Sequence, residues 1–359
     1  MLVKRSSWQG RRVFVTGHTG FKGGWLSLWL RELGAEVTGF ALPAPSGPSF
    51  FAQTRLGDLV HHVEGDVRDL PALDRAMAEA QPEIVFHLAA QSLVRPSYAD
   101  PVGTYATNVM GTVHVLDSCR RLDSIRGIVC VTSDKCYENR EWVWPYREND
   151  PMGGHDSYSS SKGAAELVIA AYRRSFFADG PLLASVRAGN VIGGGDWAED
   201  RLVPDIVRAL LSGQRPAIRS PRSVRPWQHV LDALGGYLLV GERLLDGEDA
   251  AASAWNFGPT ADDTRPVAWV VEQMLRAWGA EGWDEADGPR PHEAVLLSLD
   301  CAKARSSLGW QPRLRLADAL TEVVEWHKAV AEGSDAREIS LRQLRDYERS
   351  RNMGQVAWA

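Results

Sequence analysis

A stretch near the start, Val13-Phe14-Val15-Thr16-Gly17-His18-Thr19-Gly20-Phe21-Lys22-Gly23, constrains the fold more than any other. It runs as an apolar strand, then three glycines three residues apart, then the apolar periodicity of a helix. Glycines so placed let the backbone turn tightly and approach a diphosphate, which sits on the unpaired N–H groups of the helix N-terminus. The same alternation continues downstream. Strands are expected at Arg12–Thr16, Val37–Ala41, Leu59–Glu64, Ile84–Leu88, Gly127–Thr132 and Ala184–Arg187. Between them the spacing predicts helices over Trp25–Leu33, Ala72–Glu79, Thr104–Arg121 and Tyr158–Phe177. Strands alternating with helices give an α/β fold: a Rossmann-type, doubly wound parallel sheet with ligands at the carboxyl ends of its strands.

After Asn190 the texture changes to loops rich in Gly, Pro and Arg, including Gly193-Gly194-Gly195-Asp196-Trp197 and the run from Arg219 to Trp227. The expected organisation is a dinucleotide-binding domain over 1–188, with 228–258 returning to it. A smaller, interleaved substrate domain takes 189–227 and 259–345, and 346–359 is a tail. A chain of 359 residues, 44% hydrophobic, buries a core of that size. The net charge of −6 gives no case for nucleic acid or an anionic membrane, and no apolar run reaches spanning length. The first residues are polar, unlike a secretory signal. Cys119, Cys130, Cys136 and Cys301 are scattered without zinc-like spacing, so no metal is expected and a reduced, cytoplasmic protein is the simplest reading.

Two further segments carry chemistry. In Tyr158-Ser159-Ser160-Ser161-Lys162 the tyrosine and lysine lie one helical turn apart, so both side chains point the same way. The lysine's charge favours phenolate, which lets the tyrosine exchange a proton with an alcohol. Upstream, Val131-Thr132-Ser133-Asp134-Lys135-Cys136-Tyr137 ends the fifth strand. Ser133 places a hydroxyl beside the tyrosine, and Asp134 and Lys135 add an acid and a base. Simple dehydrogenation or epimerisation needs only the hydroxyl. The pair suits oxidation, elimination and reduction on one sugar. For the dinucleotide, Asp66 and Val67 follow the third strand, where a carboxylate and an amide reach an adenine edge. Leu88, Ala89 and Ala90 end the fourth strand with small residues that admit the cofactor closely. A ribose carboxylate belongs about twenty residues past the glycines, yet the second strand reads Val37-Thr38-Gly39-Phe40-Ala41-Leu42. No arginine stands there either, so the residues leave NAD and NADP open.

Together these motifs resemble the extended short-chain dehydrogenase/reductase family, and within it the nucleotide-sugar 4,6-dehydratases. The resemblance runs from Phe14 to about Trp326. It is most specific in the glycine turn, in Ala89-Ala90-Gln91-Ser92, in Thr132 to Tyr137, and in Arg187-Ala188-Gly189-Asn190-Val191-Ile192-Gly193-Gly194-Gly195-Asp196-Trp197. Relatives acting on dTDP-glucose and GDP-mannose carry Asp-Glu where this chain has Asp134-Lys135, and Asp-Lys is what the CDP-glucose branch looks like. The resemblance implies NAD, held by Gly17, Gly20, Phe21, Lys22, Gly23, Asp66, Val67, Leu88, Ala89, Ala90, Thr107, Tyr158 and Lys162. It implies catalysis by Ser133, Asp134, Lys135, Tyr158 and Lys162, with Lys135 either the C5 base or a cation beside the enolate. A nucleotide-diphosphate sugar would be bound by Gln91, Ser92, Asn190, Arg201, Val203, Arg225, Asn256 and His292. Of Arg219, Arg222 and Arg225, at least one is expected at phosphate. A homodimer through the helices Thr104–Arg121 and Tyr158–Phe177 is implied, with larger assemblies open. The competing readings are a dehydratase of another nucleotide sugar, a nucleotide-sugar 4-epimerase or simple dehydrogenase, and a non-catalytic NAD-responsive protein.

Overall fold

Seven parallel strands form the central sheet in a computed structural model that describes residues 3–44, 47–286 and 296–350. They are β1 (Arg12–Thr16), β2 (Glu36–Ala41), β3 (His61–Glu64), β4 (Ile84–His87), β5 (Gly127–Val131), β6 (Leu182–Ala188) and the strand Ala254–Phe257. The spatial order is Ala254–Phe257, β6, β5, β4, β1, β2, β3. Every residue of β4 and β5 is buried, as expected where helices cover both faces. The order reverses between β1 and β4, and Thr16 at the end of β1 pairs with both Phe40 and His87. The crevice outside that reversal is where such sheets bind ligands.

The helix Phe21–Glu32 follows the glycine turn and is apolar nearly all round, because it packs on the sheet and the helix Val230–Leu245, with Trp29 against Tyr347 of the final helix (5.7 Å). Trp25 stacks on Phe50 at 4.8 Å, and Phe50 on Trp326 at 6.3 Å. The Trp25 indole donates to Gly194 O (2.9 Å), tying the glycine-rich loop to the dinucleotide-binding half. The final helix, Ala336–Arg349, runs past the boundary placed at 345, since Tyr347 is buried and its hydroxyl donates to buried Asp232 (2.9 Å).

A second core stands apart from the sheet. It gathers Val203, Ile206 and Val207 with Val270, Val271, Met274, Leu320 and Val323. Beside it lies a three-stranded sheet in the order Thr264–Pro266, Val224–His229, Asn190–Ile192. The helix expected over Thr104–Arg121 is broken into Pro101–Tyr105, a π turn at Ala106–Met110 and Gly111–Cys119. The break has a local cause. Asn108 accepts from Gln91 N (2.9 Å) and donates to Gln91 O (2.9 Å) and Ser161 Oγ (2.8 Å), so the turn is wound to serve the loop after β4 and the neighbouring helix.

Candidate active site

The glycine turn is closed by contacts that no side chain would permit. Gly17 has φ +78°, and a Cβ there would stand 2.7 Å from Ala89 N; one on Gly23 would meet Gly17 O at 2.1 Å. At Gly20 the nearest atom would be 3.4 Å away, so that position stays open toward the cavity. Thr16 Oγ1 accepts from Leu88 N and Ala89 N (3.1 Å each) and is hydrogen-bonded to His87 Nδ1 (2.7 Å). His87 Nε2 reaches Thr112 Oγ1 (3.1 Å), and burial lowers the ring's pKa to about 3, so it stays neutral. This turn, held tight by Gly17 and Gly23 and open to the cavity at Gly20, fits a dinucleotide pyrophosphate. Gly17→Ala is therefore expected to weaken dinucleotide binding by roughly 10–100-fold, the equivalent of about 1–3 kcal/mol of backbone strain. Titration of tryptophan fluorescence with NAD measures it, and unchanged affinity would contradict the cradle.

The cradle opens into a cavity of about 1330 Å³ bounded by the strand ends and the second core. Single ligands commonly occupy about 300–1,000 Å³, so there is room for two. At the far end from the catalytic residues, Asp66 and Val67 line it. The Asp66 carboxylate accepts from Arg68 N (2.9 Å) and Arg68 Nε (2.8 Å), which holds its pKa below the usual range. Beyond β2 the lining is Ala41, Leu42, Gly47, Pro48 and Ser49. Among the described residues this corner presents neither a carboxylate for a ribose 2′-hydroxyl nor a cation for a 2′-phosphate.

The catalytic end is built on the helix Ser157–Ser175, capped by Asp156, whose carboxylate accepts from Ser159 N (2.9 Å) and Ser159 Oγ (2.7 Å). Tyr158 and Lys162 are buried one turn apart, and Lys162 Nζ donates to Val131 O at 3.5 Å. Burial lowers the Lys162 pKa to about 8. It raises that of Tyr158 to about 12. Ser133 caps the short turn Asp134–Cys136: its Oγ accepts from Lys135 N (3.2 Å) and donates to Asp134 Oδ1 (2.9 Å). Asp134 is 2% exposed, and Lys135 is half-buried on the cavity wall.

An ion pair holds these elements from beneath. Glu166 takes two hydrogen bonds from Arg187 (2.8 and 2.7 Å) and one each from Thr132 Oγ1 (2.5 Å) and Ser185 Oγ (2.8 Å). Burial opposes the charge, but Arg187 and the two hydroxyls keep the Glu166 pKa below its ordinary value. Arg187 also donates to the Tyr137 hydroxyl (2.6 Å), which donates to Asn256 Oδ1 (2.8 Å).

On the substrate side Ser92, Asn190, Arg201, Val203 and Arg225 line the cavity, as do Thr107 and Arg219. Arg201 bridges Asp196 (3.2 Å) and Ser92 Oγ (3.1 Å). Arg95 and Arg219 meet on Asp200 from opposite walls, at 2.9 and 3.0 Å. Arg222 is not part of the lining. Two expectations are corrected. Asn256 is 0% exposed, with its amide spent on Tyr137, Tyr146 O and Asp300 O, so it anchors the turn rather than meeting substrate. Gln91 turns its side chain onto the backbone of Leu93 and onto Thr104, away from the lining. His292 lies outside the described residues. Sequence reading missed the side chain of Lys22. It lines the cavity, where burial, then Arg201 and Lys162, lower its pKa to about 7 against the opposing pull of Asp134 and Asp196. Its place in the glycine turn assigns its backbone to phosphate, and nothing in the motif sets where the amine goes.

A family model described as GDP-mannose 4,6 dehydratase matches residues 14–323. The chain belongs to this family. It is 54% identical over 353 residues to a CDP-glucose 4,6-dehydratase of Salmonella typhimurium, covering 96% of this chain and 98% of the relative. It is 31% identical to a dTDP-glucose 4,6-dehydratase of Streptomyces antibioticus, over 88% of this chain and 92% of that one. Among solved structures, a dTDP-glucose 4,6-dehydratase from Bacillus anthracis in complex with NAD superposes with a TM-score of 0.76. It is 22% identical, covers 90% of this chain and 98% of its own, and shares the fold.

Proposed function

We propose that the protein is an NAD-dependent CDP-glucose 4,6-dehydratase, forming CDP-4-keto-6-deoxyglucose by loss of water. The carrying observation is the Ser133-Asp134-Lys135 turn facing Tyr158 and Lys162 across one cavity, in a chain 54% identical to a CDP-glucose 4,6-dehydratase. The glycine turn, Asp66, Val67, Leu88 to Ala90, Thr107, Tyr158 and Lys162 would hold NAD, which when bound would supply a reversible hydride acceptor for the sugar. Tyr158 takes the proton of the sugar 4-hydroxyl, while Ser133 hydrogen-bonds the same oxygen. The C4 carbonyl so formed acidifies the C5 hydrogen, which Lys135 removes. Asp134 gives its proton to the departing 6-hydroxyl, and water leaves. Arg201, Arg219 and Arg225 supply guanidinium groups suited to the diphosphate, whose oxygens take paired hydrogen bonds.

Epimerisation at C4 would leave Asp134 without a task, and a binding protein would not need Ser133, Asp134, Tyr158 and Lys162 gathered on one cavity. For assembly, exposed Tyr98, Val102, Tyr105 and Met110 stand on the helices over 94–110, with Leu167 and Phe176 on or just past the catalytic helix. They support a homodimer with a self-complementary apolar face. Among the described residues no helix is long and apolar enough to cross a membrane, and all four cysteines are free and buried, which supports a cytoplasmic setting.

Incubation with CDP-glucose, dTDP-glucose, UDP-glucose and GDP-mannose tests the reading. The expected result is a 4-keto-6-deoxy product, fastest from CDP-glucose, with NAD needed in catalytic amount only. Stoichiometric NADH, or a C4 isomer, would overturn it; a preference for another nucleotide would move the substrate assignment alone.

A further inference from the structure

Arg95 belongs to no motif of the sequence, yet it lines the cavity together with the arginines suited to the diphosphate. It stands on the short helix Val94–Ala99, which follows the loop after β4. Arg219 comes from the other side, directly after the strand Ala217–Ile218, whose Ile218 is part of the second core. The two guanidinium groups meet on a single atom. Asp200 Oδ1 accepts from Arg95 Nη1 (2.9 Å) and from Arg219 Nη1 (3.0 Å). Arg219 Nη2 also donates to the Asp200 carbonyl (3.3 Å) and lies 3.8 Å from Asp205, which is itself paired with Arg208.

Two cations on one carboxylate oxygen make an anion site filled with too little charge. Each guanidinium has five N–H donors, and Asp200 engages one from Arg95 and two from Arg219. A diphosphate brings a negative charge on each phosphorus and oxygens enough for paired hydrogen bonds to both groups. The present occupant is easily exchanged. The side chains of Arg95, Asp200 and Arg219 are 44%, 38% and 35% exposed, and ion pairs so open to water hold weakly. Asp200 also has a left-handed backbone (φ +60°), which aspartate and asparagine tolerate better than most side chains. Because Arg219 is tied to the Asp200 carbonyl as well, it keeps its place when the carboxylate swings away.

We infer that Arg95 and Arg219 form a clamp for the substrate diphosphate, and that Asp200 occupies it as a built-in competitor until substrate displaces the carboxylate. The inference rests on the diphosphate part of the proposed function and deepens it. It adds Arg95 to the substrate's partners and gives the negative charge of Asp200 an effect opposite in sign to that of a structural clasp. Removing a clasp loosens the cavity and weakens binding, whereas removing a competitor strengthens it.

Calorimetric titration of the NAD-loaded protein with CDP, UDP and cytidine reads that sign. Asp200→Asn keeps the size of the side chain and suits the same backbone. It is expected to bind CDP and UDP roughly 3–10-fold more tightly, the size of effect that one or two exposed ion pairs carry. Cytidine, which has no phosphate, should bind as before. Arg95→Met should weaken CDP by a similar factor, and in the double variant the gain from Asp200→Asn should shrink, because part of it acts through Arg95. Unchanged or weaker CDP binding in Asp200→Asn would overturn the competitor, and an equal gain for cytidine would move its action away from the phosphates. Unchanged CDP binding in Arg95→Met would remove Arg95 from the clamp. These readouts need no turnover, so the expected titrations with no 4-keto-6-deoxy product from CDP-glucose would sink the dehydratase reading and leave the clamp standing.

Discussion

Asp134→Asn is expected to lose steady-state dehydration by roughly 10²–10⁴-fold, the usual worth of a positioned acid. The amide matches the carboxyl in shape and can still accept from Ser133, so the turn Asp134–Cys136 should keep its cap. What it lacks is a proton to give the 6-hydroxyl. Oxidation at C4 depends on Tyr158 and Ser133, and the absorbance of reduced nicotinamide should therefore still rise when substrate is added. Lys135→Met provides the companion result. It should also permit oxidation, but should lose exchange of the C5 hydrogen with solvent deuterium. Full dehydration in Asp134→Asn, or unchanged exchange in Lys135→Met, would assign these steps to water or to another side chain.

The largest effect on folding is expected at Glu166. Its carboxylate is the common acceptor for Arg187, Thr132 and Ser185, with 4% and 5% of the two charged side chains exposed. Glu166→Ala leaves the guanidinium buried without its counter-ion, and removing one partner of such a pair costs about 3–5 kcal/mol. Urea unfolding should show this as a lower midpoint. Loss of under about 1 kcal/mol, the worth of an exposed pair, would mean that Arg187 finds compensation in Tyr137 and the Glu148 carbonyl.

Much of this architecture was legible because it is written in local patterns. The glycine spacing fixed the turn between β1 and its helix, since Gly17 and Gly23 each face backbone at distances only a hydrogen survives. The β–α alternation gave the parallel sheet, and the one-turn separation of Tyr158 and Lys162 set them on one buried face. What failed depended on partners distant in the chain. Asn256 is expected at substrate from the resemblance alone, but the hydroxyl of Tyr137 and the carbonyls of Tyr146 and Asp300 claim its amide. The π turn around Asn108 answers to Gln91 and Ser161, which no helical periodicity records. Lys22 reads as part of a phosphate turn, yet its amine is set among Arg201, Lys162, Asp134 and Asp196. The second strand carries no signal choosing between NAD and NADP, and the cavity corner beyond Ala41 offers none among the described residues.

In the proposed reaction one site oxidises C4, eliminates across C5 and C6, and reduces C6 of the same sugar. CDP-glucose carrying deuterium at C4 tests it directly, with the product examined by NMR and mass spectrometry. The label is expected in the C6 methyl group of a 4-keto product, one deuterium per molecule, with none released into free NADH. Deuterium retained at C4 of an isomerised sugar, or accumulating in free NADH, would contradict it.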